Sequence, residues 1–415
     1  MTLPIRIPPI VERWDCHGCG GCCRAKIIPL GDADLRKLDQ QNWQQHPDYS
    51  GVRTIVRLGR FKKGYRLAHR DDGNCVFLTA EGRCRIHEEY GAEAKPLLCR
   101  LYPFQLVPLE EFAYLTLRRN CPSAAADQGR SVEEHLGEAV ELARQRQPEI
   151  EAARPPMIVP GHRRTWQDTF RVLEAIERLM TDSRYPPVRR LVHALQLCDL
   201  LGQCRLRGFP GSRLGSLLDM LETSAVKESA RWFAVRRPPG RAGGMLFRQA
   251  TLEYVRLHPK FVIRESWRER WRLIVAAMAF ARGRGRMPRL HPTFPATTFE
   301  ALERPLGALG QDELRPLTAY FEAVVASRRY AVLDRNRWSI VESFRATALA
   351  YPVATWLLRL GCGDRPIEVD DVIDVVGAID RGQGYAPLSG RRHRRRVASL
   401  ARMNELARLV AWYGR

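Results

Sequence analysis

Apolar positions change rhythm near residue 125 of this 415-residue chain. Before that point they come in short runs. "RTIVRLGR" (53–60) and "YRLAHR" (65–70) predict strands, and "FQLVPLEEFAYLTLRRN" (104–120) predicts two strands around a turn. "DADLRKLDQQN" predicts a short helix with Asp32 as its N-cap. After about residue 130 a helical period takes over. In "TWQDTFRVLEAIERLM", Trp166, Phe170, Leu173, Ile176 and Met180 fall on one stripe. Similar runs follow at roughly 185–204, 212–232, 243–258, 266–282, 310–329, 337–360, 368–380 and 391–413. "RRPPGRAGG" (236–244) and "RGRGRMPRLHPTFP" (282–295) read as loops. The expected fold class is α+β for a small cysteine-rich metal-binding module over residues 1–128. An all-α multi-helix domain of about nine or ten helices follows over 129–415.

The cysteines share this asymmetry. Eight of the eleven lie before residue 122: Cys16, Cys19, Cys22, Cys23, Cys75, Cys84, Cys99 and Cys121. The first four fall within eight residues, in "WDCHGCGGCCR". Cys16/Cys19 and Cys19/Cys22 have the C-x-x-C spacing that turns two sulfurs toward one ion, and glycine eases the backbone between them. Cys22 and Cys23 are adjacent, so their side chains tend to diverge unless the backbone turns sharply. "GNCVFLTAEGRCRIH" brings Cys75 and Cys84 together in a hairpin or short loop. "KPLLCRLYPF" and "RRNCPS" supply Cys99 and Cys121.

The chain shows no apolar leader segment, and no apolar run nears the roughly 18 residues a bilayer span needs. A soluble cytoplasmic protein without a membrane partner is expected. Thiols stay reduced in that compartment, so clustered cysteines favour metal over disulfides. Eight thiols can fill two Cys₄ zinc sites or hold an iron–sulfur cluster. Isolated Cys198 reads instead as a small core residue.

These residues carry a family resemblance. Over about 14–123 the chain resembles the YkgJ-type cysteine-cluster family with its CxxCxxCC motif. The matching pieces are Cys16-x-x-Cys19-x-x-Cys22-Cys23, "CVFLTAEGRCRIH", "KPLLCRLYPF" and "NCP"; Lys95-Pro96 stands where Arg-Pro is common. The resemblance implies chelation of zinc or iron, with all eight family cysteines present here. In architecture the chain is similar to flagellin lysine-N-methylases, which join such a cluster to a long helical remainder. That similarity implies a protein lysine N-methyltransferase using S-adenosylmethionine on a protein substrate. It assigns no catalytic or cofactor-binding residue.

The formal net charge is +21, enough to attract an acidic partner, anionic lipid or nucleic acid. Only seven of the 67 basic residues are lysine, and the arginines are spread along the chain. Nucleic acid is therefore not the expected partner, since a basic balance alone is a footprint and not a motif. Other features have structural readings. "LRLGCGDRP" (358–366) looks like a methyltransferase glycine loop but follows a helical pattern, as a helix C-cap would. Asp370, Asp371 and Asp374 complement a helix start. Trp267 and Trp271, among Arg264, Arg268 and Arg272, fit either a core face or an anionic docking site. "GRRHRRR" (390–396) fits a basic contact or the solvated start of the final helix. His17 and His87 flank the cysteines as accessory groups. Walker, G-x-S-x-G and H-E-x-x-H motifs are absent, which removes support for an NTPase or hydrolase.

Overall fold

A computed structural model of the protein describes residues 3–24, 27–59, 63–146, 151–235, 237–258, 267–307, 310, 312–332, 338–382, 388 and 390–414. Two small sheets build the N-terminal part. In the first, Ala113–Leu117 lies between Ile5–Arg6, its parallel neighbour, and Phe104–Pro108, its antiparallel one. Its central place explains why Ala113, Leu115 and Leu117 are fully buried. Each such leucine contributes about 1.5–3 kcal/mol by leaving water. In the second sheet Tyr65–Leu67 lies between Pro29–Leu30 and Ile55–Arg57.

The expected strands are present, but one cap differs. The helix Asp32–Gln40 starts one residue after its cap: Gly31 is the N-cap, and its N–H donates to Asp34 Oδ2 at 3.1 Å. Asp32 is the first helical residue, where its charge still complements the helix dipole.

Helices dominate the remainder, and from Trp166 onward they share one continuous apolar core, while Ala139 of the helix Leu136–Arg146 belongs to the cluster of Phe104, Leu115 and Leu117. The helix Ile340–Cys362 runs through it, with Phe344, Trp356 and Leu358 fully buried. Ser339 and Glu342 form a reciprocal capping box at its start. The all-α expectation needs a correction, because Met157–Val159 pairs with His162–Arg163 in a small hairpin. The 391–413 run is also two helices, Arg391–Arg402 and Glu405–Tyr413. Asn404 breaks it at φ 55°, a left-handed conformation that asparagine tolerates better than most residues.

The two parts are joined by polar as well as apolar contact. The short helix Pro122–Ala125, directly after Cys121, packs on the helices Val369–Gly382 and Arg315–Ala326. Fully buried Asp380 lies at this junction. It accepts from Arg118, Arg329 and the Asn120 backbone N–H.

Candidate metal centre

The Cys16–Cys23 segment is held from both sides. Before it, the Trp14 N–H donates to Arg130 O at 2.8 Å, and His135 Nε2 hydrogen-bonds Trp14 O at 2.7 Å. Beyond it, the Cys75 N–H donates to Cys23 O at 2.7 Å, and Arg24 forms a bridge with Asn74. Between these anchors the glycines do specific work. Gly20 has φ 66°, and a Cβ there would lie 2.3 Å from Gly82 O and 2.7 Å from Leu78 Cδ1. A Cβ on Gly21 would lie 2.8 Å from Pro122 Cδ. The loop therefore threads between the 78–82 turn and the start of the helix after Cys121, where only glycine fits.

That path gathers the cysteines. All eight line one cavity of about 440 Å³. Gly21–Cys23 forms a single 3-10 turn, and this turn brings Cys22 Sγ and Cys23 Sγ to 3.9 Å. The divergence expected of neighbouring cysteines is thus undone by the backbone. A tetrahedral zinc with Zn–S bonds of about 2.3 Å places its sulfurs roughly 3.8 Å apart, so this pair already has a ligand-like spacing. Cys84 also stands within hydrogen-bonding reach of Cys23. Among the described residues no group of three or more His, Cys, Asp or Glu side chains is close enough to hold an ion as it stands. The donor set nevertheless fits a thiophilic metal, since all eight cysteines are free thiols facing shared space.

Burial is graded across the cavity. Cys16 and Cys19 are exposed, Cys22, Cys23, Cys84 and Cys99 are half-buried, and Cys75 and Cys121 are buried. Burial pushes the Cys75 thiol up to about 12 and Cys121 up to about 11, and it drives Cys99 well above the ordinary thiol value. Neighbouring sulfurs push the same way, because thiolates crowded together repel. Cys84 goes the other way, to about 7. Its sulfur accepts from the Cys23 thiol and from the His87 backbone N–H, with Lys95 adding positive charge. Cys23 is raised correspondingly, by its hydrogen bonds with Cys22 and Cys84 and by burial. A bound cation reverses this balance by displacing protons from the sulfurs.

The accessory groups are placed as well. His17 Nδ1 lies 3.1 Å from Ser123 Oγ, and Lys95 Nζ lies 3.3 Å from His87 Nδ1; both histidines line the cavity. Two supporting residues, Tyr102 and Asn120, lie inside the matching pieces "KPLLCRLYPF" and "NCP" but are not among the site candidates read from the sequence. Tyr102 lines the wall, and its hydroxyl donates to Asn120 Oδ1 at 2.9 Å, next to Cys121. The aromatic-proline pair after Cys99 was the available signal.

Comparison with known proteins fits this geometry. The family model that matches is CxxCxxCC, described as "Putative zinc- or iron-chelating domain", over residues 15–122. Residues 15–122 are a CxxCxxCC domain. The match takes in 108 of 415 residues and ends one residue beyond Cys121. The chain is also 30% identical over 135 residues to "Uncharacterized protein MJ0939" of Methanocaldococcus jannaschii, which covers 32% of this chain and 44% of that protein. The chain thus spans less than half of that relative's length. No solved structure matches the chain.

Outside the CxxCxxCC domain the sequence candidates separate. Cys198 is fully buried in the apolar core, as expected. Segment 358–366 ends the helix Ile340–Cys362, and the positive-φ cap is Gly363 while Gly361 remains helical. It forms no strand-to-helix glycine loop. Asp371 accepts from Arg365 and from the Glu368 backbone N–H, and the hydrogen bond from Arg365 holds its carboxyl down at about 2. The 390–396 run opens the penultimate helix, not the final one. His393 is buried there, and Arg394 donates to both carboxylate oxygens of Glu342 at 2.8 and 2.9 Å. Arg264 lies outside the described residues. Trp267 and Trp271 are 79% and 57% exposed, so the core reading of this pair does not hold. Among the described residues no helix is long and apolar enough to cross a membrane.

Proposed function

We propose that the N-terminal domain chelates zinc or iron through Cys16, Cys19, Cys22, Cys23, Cys75, Cys84, Cys99 and Cys121. The observation that carries this reading is the single cavity lined by all eight thiols, which come from four separate stretches of chain. Its size favours more than a lone ion. A volume of about 440 Å³ is many times the roughly 30 Å³ share of one water. Two four-cysteine centres, or a polynuclear iron–sulfur cluster, suit both the space and the donor count. Such a group would supply electron transfer or Lewis-acid chemistry, or would simply brace the fold. The protein's own part is to gather the sulfurs around one space and, at Cys84, to lower the proton affinity through the Cys23 thiol, the His87 N–H and Lys95.

Anaerobic purification followed by metal analysis and visible absorption tests the reading. Iron with acid-labile sulfide and a thiolate charge-transfer band would assign a cluster. About two colourless zinc ions per chain would assign paired Cys₄ sites. Protein without either metal would remove the reading. Methyl transfer from S-adenosylmethionine to protein lysine is a separate proposal that rests on architecture alone. Calorimetric titration of the metal-loaded chain with that cofactor tests it.

A further inference from the structure

The helix Trp267–Arg282 presents an uncovered apolar ridge. Trp267, Trp271, Ile274 and Met278 recur at i, i+4, i+7 and i+11, with Val275 beside them, and their exposures are 79%, 57%, 51%, 57% and 43%. At 100° per residue these side chains share one face. The opposite face is committed: Ala276 and Phe280 are fully buried, and the helix packs on Arg241–Val255. Arg268 and Arg272 border the ridge on one side and Arg270 on the other, and Arg282 closes its end; all four are exposed. The helix sequence carries four arginines against one glutamate.

We infer that this ridge seats the protein on an anionic lipid surface. Ordinary soluble surfaces scatter large apolar side chains singly, whereas a contiguous row marks a contact. The shape selects the partner. A convex ridge on one helix, about 17 Å long, has no groove to receive another helix, but it sinks readily into a soft plane. Tryptophan favours the boundary between headgroup and acyl chain. Arginines on both flanks keep their charge at the phosphates while their stems lie along the ridge. A second copy of the chain suits the ridge less well, because its arginines would meet arginines. The contact lies in the surface plane and spans nothing. It is independent of the metal reading, and it runs against the expectation of no membrane partner.

The test uses the full chain as purified. It is sedimented with vesicles of mixed phosphatidylglycerol and phosphatidylcholine, and with phosphatidylcholine alone. Binding is expected to the anionic vesicles only and to weaken as salt rises. Trp267→Glu with Met278→Glu, both at exposed positions, should lower partitioning by about tenfold or more and leave far-UV circular dichroism unchanged. Equal binding to neutral vesicles, no vesicle binding, or an unaffected double variant would overturn the proposal. So would a concentration-dependent dimer that the double variant dissolves, since the ridge would then belong to a second copy.

Discussion

Arg118 Nε donates to Asp380 Oδ2 at 2.9 Å across 262 residues of sequence, and Arg118 Nη2 reaches the Asp380 carbonyl at 2.8 Å. Arg329 Nη2 occupies the other carboxylate oxygen at 2.7 Å, and Asn120 N donates to Oδ2 at 3.1 Å. One carboxylate of the helical part thus fixes Arg118 and Asn120, the residues just before Cys121. Through Asn120 it also fixes the hydroxyl of Tyr102 in the cavity wall.

Removing that charge should be costly. Asp380→Asn keeps the shape but takes the carboxylate from buried Arg329 and half-buried Arg118, and a loss of roughly 3–5 kcal/mol is expected. Urea titration measures it. Burial alone would raise the Asp380 carboxyl, but Arg118 and Arg329 outweigh burial and hold it below its ordinary value. A depressed carboxyl stabilises the fold above the unfolded value of about 3.9 and loses that contribution as pH falls through its folded value. Wild-type stability should therefore drop more steeply than that of the asparagine variant below about pH 4.

Two glycines make a matched pair. Gly18 and Gly20 both have φ 66°, but a Cβ at 18 meets nothing within 4 Å while one at 20 strikes Gly82 O at 2.3 Å. Gly18→Ala should cost only the left-handed strain, about 1 kcal/mol. Gly20→Ala must also push the cysteine loop off the 78–82 turn. Metal content per chain should fall for the second variant and hold for the first, and elemental analysis of both reads the difference.

Cysteines divide by environment. Cys22→Ser removes one of two sulfurs 3.9 Å apart in the cavity and should reduce bound metal. Cys198→Ser sits in the apolar core and should leave metal content unchanged, while it costs about 1–3 kcal/mol for a poorly satisfied hydroxyl. Equal metal loss from both would sink the eight-ligand assignment.

His393 should leave a signature in acid. It is buried, its Nδ1 has no hydrogen-bond partner among the described residues, and burial pulls its pKa down to about 4. The unfolded chain takes up this proton near pH 6.5 and the folded chain only near 4, so stability declines between them by up to ~3 kcal/mol. His393→Phe should flatten that slope in thermal melts across pH 4–7.

Legibility in the sequence followed the range of the interaction. Strands at 55–57, 65–67, 104–108 and 113–117 and the long helices were readable, because alternation and helical period are local signals. The cysteine set was readable because thiols at C-x-x-C spacing are rare by chance. Asp380 was not, since its partners lie 51 to 262 residues away and a lone aspartate in "GAID" carries no pattern. Period also cannot say which stripe of a helix is covered. Trp267 and Phe280 belong to the same helix, and only packing tells that one faces water and the other the core.

The reach of the cysteine loop has a topological consequence. Cys16 and Cys121 stand 105 positions apart and line the same space. A metal group shared between them closes a ring that takes in nearly the whole domain, and a cross-link over about 100 residues restrains the unfolded chain by roughly 4–5 kcal/mol. Unlike a disulfide, such a rivet would come out with a chelator or an oxidant. With a metal group bound there, the domain's resistance to unfolding and to proteolysis would become a readout of the metal supply around it.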